Sequence, residues 1–171
     1  MASLNGVEIK SLKTFRGHEG EPLAQGNVYI DGKKMGYWSQ DAWGGSDNYW
    51  SDIATNLTDK IKERAVQFKR GVPETDKYYA IYDDPDMFIN ALLRITEEEK
   101  TWKKLNKQGF PYVLFESTAY SLTAYGYKSY EDAVENQSSF DSKSLTYICK
   151  GKEDFNLKCN EYTPATARLL V

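Results

Sequence analysis

The 171-residue chain has one histidine, His18, and two cysteines, Cys149 and Cys159. A single imidazole excludes the His-Glu-x-x-His zinc site and any metal centre built on two histidines. Two cysteines allow at most one disulfide and no pair of Cys-x-x-Cys knuckles. A glycine-rich phosphate loop, a dinucleotide fingerprint and the Gly-x-Ser-x-Gly elbow of serine hydrolases are all missing. No apolar run approaches the ~20 residues that a membrane-spanning helix needs. The opening stretch, Met1 to Lys13, lacks the apolar core of a secretory signal. The expected compartment is the cytoplasm, with both thiols reduced and structural.

Strong charge of either sign is also lacking. Residues 1–70 carry ten Lys/Arg against nine Asp/Glu, and residues 71–171 carry twelve against sixteen, giving the net −3 of the chain. Without a basic segment, bulk electrostatics do not draw the chain to DNA or RNA, and weak or no binding to free nucleic acid is expected. A mildly acidic surface suits a basic partner instead, such as the cationic channel of a nucleic-acid-handling protein.

What the chain does have is an uneven distribution of glycine and tryptophan. Residues 14–50 hold seven of the twelve glycines, three of the four tryptophans and the only histidine. Alternating apolar residues predict strands over residues 7–15, 21–30 and 35–43, with Asp31-Gly32 as a hairpin turn. Gly26 and Gly36 fall inside strands, where glycine marks a bulge or a close backbone approach.

Residues 46–71 read as helical, with Ser51 as N-cap, an apolar stripe of Ile53, Leu57, Ile61, Ala65 and Phe68, and a C-terminus at Lys69-Arg70-Gly71. A second helix is capped by Asp84, starts at Pro85, and buries Phe88, Leu92, Ile95, Trp102 and Leu105 before Gly109. Its run Glu97-Glu98-Glu99 reads as a solvated face, with Glu99 and Lys103 as an i,i+4 pair. Residues 112–128 predict one or two strands, 129–137 a short helix or turn, and 144–160 a closing hairpin turning at Gly151. The expected fold is α+β: one domain over residues 1–171, an antiparallel sheet with two main helices packed on one face.

Two clusters can carry chemistry. Arg16, His18, Glu19 and Glu21 place a fixed cation, an imidazole and two carboxylates within six residues. With Asp41 they form a candidate catalytic set for metal-independent RNA cleavage. One group would take the 2′-hydroxyl proton, another would protonate the leaving oxygen, and the guanidinium would steady the phosphorane. Tyr37, Trp38, Trp43 or Trp50 would stack a base. The plainer reading of this stretch is a β-turn in which His18 bonds locally.

The second cluster, Asp41, Asp47 and Tyr49, brackets the Gly44-Gly45 turn. No cofactor is expected, although two or three carboxylates drawn from Asp41, Asp47, Glu19 and Glu21 would suffice for magnesium. The plainer reading gives both aspartates to backbone amides of the turn.

The pattern F-R-G-H-E-G … L-A-Q-G-N-V-Y-I-D-G-K-K-M-G … D-A-W-G-G resembles a group of small proteins from phages and mobile elements of Gram-positive bacteria. Its matching positions are Phe15, Gly17, Glu19, Gly20, Tyr29, Asp31, Gly32, Lys33, Lys34, Asp41, Gly44 and Gly45, and the likeness spans about residues 7–50. Some proteins of this kind act as anti-CRISPR proteins. The resemblance therefore implies an inhibitor acting in the bacterial cytoplasm on Cas9, or on the Cas9–guide RNA complex. It would either block the nucleic-acid channel or cut the guide RNA. A mobile-element accessory module that binds protein without a defence role is the alternative.

Overall fold

Val7, Ile9, Val28 and Ile30 are buried, while Glu8, Lys10, Asn27 and Tyr29 between them are not. This period of two sets one face of an antiparallel pair against a core. The register follows it, with Val7 opposite Ile30 and Ile9 opposite Val28.

The computed structural model describes residues 1–52, 54, 56–69, 84–117, 121–140 and 145–157. Its elements in chain order are β1 (Ser3–Leu4), β2 (Val7–Arg16), β3 (Pro22–Ile30), β4 (Lys33–Ser39), β5 (Asn48–Ser51), α1 (Leu57–Lys69) and α2 (Pro85–Lys107). There follow β6 (Tyr112–Ser117), β7 (Leu122–Tyr127), α3 (Tyr130–Gln137), β8 (Leu145–Cys149), a 3-10 turn (Lys152–Phe155) and β9 (Asn156–Leu157). The α+β class is as expected. The strands are divided between two sheets, however, in the orders β5-β4-β3-β2-β1-β9 and β7-β6-β8.

Helix α2 is what joins the sheets. Phe88, Ile89, Leu92 and Ile95 are fully buried, in one apolar cluster with Val7, Ile9 and Val28 of the large sheet and Val113 and Phe115 of the small one. Each such side chain contributes roughly 1.5–3 kcal/mol by leaving water. The opposite face of the small sheet is covered by α3, where Leu114 and Ala133 are both fully buried.

The second helix begins and ends as its sequence requires. Asp84 accepts the Asp86 N–H at 2.7 Å, Pro85 opens the helix, and Gly109 at φ +91° follows the Gln108 cap. The acidic run within it departs from expectation. Glu97 is exposed and pairs with Lys100, whereas Glu98 is wholly buried and Glu99 is 3% exposed. Glu98 accepts from the Tyr147 hydroxyl at 2.6 Å and faces Arg94 at 3.4 Å. Glu99 takes the predicted Lys103 at 2.7 Å, together with the N–H of Ala2 at 3.0 Å. The helix is clasped by a sheet on each side, so a third consecutive acid has little solvent left to face.

Asp31 (φ +48°) and Gly32 (φ +79°) form the two-residue turn between β3 and β4, as expected for a hairpin that needs positive φ at both positions. Three other boundaries are corrected. Residues 48–51 form the edge strand β5, not the start of a helix, because Tyr37, Trp38 and Ser39 offer a strand to pair with. Helix α1 therefore starts at Leu57, with Ser51 Oγ still accepting the Leu57 N–H at 2.7 Å. No closing hairpin forms: β8 joins the small sheet, and β9 pairs in parallel with β1 of the large one. Leu57, Ile61 and Ala65 are buried as predicted. Ile53, the side chain of Phe68, Arg70, Gly71 and Cys159 lie outside the described residues. Cys149 is buried in the core.

Candidate functional site

The β2–β3 loop is a tight turn closed by Gly17 N–H to the Glu21 carbonyl at 2.9 Å and Gly20 N–H to the Gly17 carbonyl at 3.0 Å. Arg16 folds back so that its guanidinium donates to the Gly20 carbonyl at 2.7 Å. Glu21 lies over Gly17, where an added Cβ would sit 2.0 Å from its Oε1. Its Oε2 is shielded from water and takes no donor among the described residues. Glu19 at the tip is exposed.

The β4–β5 loop packs alongside. Asp41 Oδ1 accepts the backbone N–H groups of Trp43 at 2.8 Å and Gly45 at 3.1 Å, and Asn48 Nδ2 lies 3.5 Å from Oδ2. The two amides hold the Asp41 carboxyl below the usual range. The two loops are joined by the His18 N–H, which donates to the Ala42 carbonyl at 2.8 Å, and by ring stacking of His18 on Trp43, with centroids 4.1 Å apart at 27°. Trp43 nevertheless remains 76% exposed.

Where the second loop runs into β5 lies a pocket of about 310 Å³, lined in part by Asp47, Tyr49, Thr58, Lys62, Asp84 and Asp86. Asp86 accepts the Tyr49 hydroxyl at 2.7 Å and the Asp47 N–H at 3.0 Å, tying β5 to the first turn of α2. Asp47 in turn accepts the Trp38 indole N–H at 2.8 Å. Burial pushes the Asp47 carboxyl up to about 6. Trp38 opposes the rise, and repulsion from Asp86, Asp84 and Asp41 adds to it. Burial, then the bond to Asp86, also raises the Tyr49 hydroxyl.

The catalytic set is therefore only partly convergent. His18 meets the Asp41 loop through Trp43, but Arg16 is engaged by its own loop and Asp41 by two backbone amides. Trp38 is corrected from a binding residue to a core residue, since a ring with no exposed surface stacks on nothing outside. Tyr37 and Trp50 lie on the outer face of the sheet, 5.6 Å apart at 44°. No group of three or more His, Cys, Asp or Glu among the described residues is placed to hold a metal ion. Local sequence marks Asp84 as a helix cap and gives Asp86 only a place at the positive end of the helix dipole. The bonds of Asp86 to Tyr49 and Asp47 span 37 and 39 residues, and no local pattern carries them.

No protein-family description, curated protein or solved structure matches the chain. Among the described residues no helix is long and apolar enough to cross a membrane.

Proposed function

We propose that the protein works by binding rather than by cleavage, seating the His18–Trp43 stack and its acidic surroundings on a basic partner. The observation that carries this reading is a large ring, 76% exposed, that is nevertheless fixed in place by a stack and by bonds on both sides of it. An exposed aromatic held rigid before binding loses little entropy on contact, which is how interface anchors gain affinity. Glu19 at the tip of one loop and the pocket carboxylates Asp84 and Asp86 supply negative charge suited to a cationic surface.

The resemblance over residues 7–50 implies Cas9 or its guide RNA complex as the partner, and with it the reading proposed here is an anti-CRISPR inhibitor that obstructs the nucleic-acid channel. Guide-RNA cutting would require Arg16 to leave the Gly20 carbonyl and Asp41 to leave two backbone amides. Labelled guide RNA and target DNA, incubated with this protein and Cas9, test the proposal. Lost DNA cleavage with intact guide RNA, restored by Trp43→Ala, is the expected result. A discrete shorter RNA seen only with Cas9 overturns the binding mechanism in favour of cutting by His18 and Glu19. Normal cleavage with intact RNA overturns the defence role and leaves an accessory protein-binding module.

A further inference from the structure

The outward face of the six-stranded sheet carries a second surface that the loop pair does not use. Strand register places Lys10 opposite Asn27, Asn27 opposite Tyr37, and Tyr37 opposite Trp50. These four side chains form one row across β2, β3, β4 and β5, about 14 Å long at the usual strand spacing. A second row, Glu8, Tyr29 and Lys34, runs beside it, and Lys13 opposite Gln25 begins a third. The inward neighbours Ile9, Val28 and Trp38 are buried against the helices, so the alternation leaves these rows pointing away from the core.

The composition of the face is unlike that of the whole chain. Lys10, Lys13 and Lys34 outnumber Glu8 and Asp52 in a protein of net charge −3. Trp50 is 51% exposed and tilts against Tyr37. The Tyr37 hydroxyl is anchored on Gln25 at 2.5 Å, which fixes the ring. Lys10 pairs with Glu8 at 2.8 Å and also sits 4.2 Å over the Tyr29 ring, while Lys34 pairs with Asp52 at 2.8 Å. Partly exposed pairs of this kind contribute little, so a phosphate oxygen can replace the carboxylate at small cost. Asn27 stands between cation and ring, and its amide forms no hydrogen bond among the described residues. A side-chain amide both donates and accepts, as a ribose 2′-hydroxyl requires.

The geometry points to this face as a platform for single-stranded RNA, with bases stacking on Trp50 and Tyr37, phosphates on Lys10, Lys13 and Lys34, and the sugar at Asn27. Stacking tolerates any base and needs the strand unpaired, which suits a flat sheet face with aromatic rings on neighbouring strands. Binding to free RNA is weak because only three cations take part, with Kd on the order of 10⁻⁵ M at physiological salt. The inference is independent of the loop-mediated reading above, because it rests on Trp50 and Tyr37 and not on Trp43 and His18.

Fluorescence anisotropy of a labelled twelve-nucleotide oligouridine RNA, titrated with the full-length protein, tests it. Trp50→Ala and Tyr37→Ala are each expected to weaken binding roughly 5- to 150-fold. Trp50→Phe, which keeps a ring, is expected to retain most of the affinity, and Tyr130→Ala on α3 all of it. The plot of log affinity against log salt is expected to slope at about −2, from three phosphates on a single strand. Lys10→Glu should flatten that slope. An RNA duplex bound as tightly as the single strand would reduce the face to a weak electrostatic patch and overturn the platform. Equal affinity for the matching DNA strand would overturn the assignment to RNA. Absence of binding at 50 mM salt, with folded protein by circular dichroism, would overturn the whole inference and leave the face to a protein partner.

Discussion

The indole N–H of Trp38 donates to the carboxylate of Asp47 at 2.8 Å, tying a wholly buried ring to a half-buried acid. That acid titrates at about 6 in the folded protein, above the ~3.9 of an unfolded aspartate. Between those values the folded chain holds more protons than the unfolded one, so this site loses stability as pH rises from about 4 to 6 and is flat beyond. Solvent screening at a half-exposed group reduces the effect to roughly 1 kcal/mol. Asp47→Asn keeps an acceptor for Trp38 and removes the charge. Thermal melts at pH 4 to 8 should show the variant gaining on the parent chain through that window and staying ahead above it. A constant difference across the range would mean that Asp47 carries no raised titration.

Glu98 is the most completely buried charge among the described residues, packed between α2 and the small sheet with Arg94 and Tyr147. Removing one side of such a pair strands the other. Glu98→Ala should therefore cost about 3–5 kcal/mol in urea unfolding. Glu98→Gln, which keeps an acceptor for the Tyr147 hydroxyl, should cost less. A loss below ~1 kcal/mol for the alanine variant would show that water reaches Arg94 readily.

At Gly36 a Cβ would stand 2.0 Å from the carbonyl oxygen of Trp50 on the neighbouring strand. Neither backbone can yield without breaking the β4–β5 ladder. Gly36→Ala should destabilise by roughly 1–3 kcal/mol and raise amide exchange selectively in residues 48–51. Unchanged exchange there would show that the two strands part without cost.

Asp41 organises the loop that presents Trp43, and its lowered titration comes from the two amides it accepts. The sign here is opposite to that of Asp47. Its contribution is present above the ordinary aspartate range and fades as acid protonates the folded carboxylate. Asp41→Ala should red-shift and broaden tryptophan emission as the His18–Trp43 stack loosens. Emission identical to that of the parent chain would mean that the stack holds without this acid.

Trp43→Ala removes a ring that is three-quarters exposed, so stability should change by no more than about 0.5 kcal/mol. On the proposed function, binding to Cas9–guide RNA in a pull-down should fall by ~2 kcal/mol or more, about thirtyfold. A matched loss of stability and binding would reassign the ring to folding.

Much of the fold is legible in short stretches. Asp31-Gly32, the Asp84-Pro85 helix start and the Leu57–Ile61–Ala65 stripe each depend on neighbours a few residues away, where local chemistry decides. The assignment of β8 and β9 to different sheets depends instead on distant partners, since β9 pairs with β1 some 150 residues away and β8 with β6 about 30 residues away. The acids divide in the same way. Asp41 bonds within its own loop, as a short acid beside glycines suggests. The burial of Glu98 needs Tyr147, and the position of Asp47 needs Asp86 and Trp38. The rings followed period two: Trp38 and Tyr37 are adjacent in sequence and face opposite sides of one strand, so their roles were bound to differ.

Leu4 and Leu157 sit opposite each other in the parallel β1–β9 pair, and Asn5 N–H closes onto the Leu157 carbonyl at 2.9 Å. The free side of β1 is thus covered by a strand that leaves the ribosome some 150 residues after it. Until then the nascent chain presents β1 with an open edge while β2 to β5 are already able to pair. Assembly of this edge comes last, and contacts of such long sequence separation are slow to form. A chain halted before Asn156 would expose the buried face of Leu4 and the unpaired β1 backbone, a surface on which partly made copies adhere to one another.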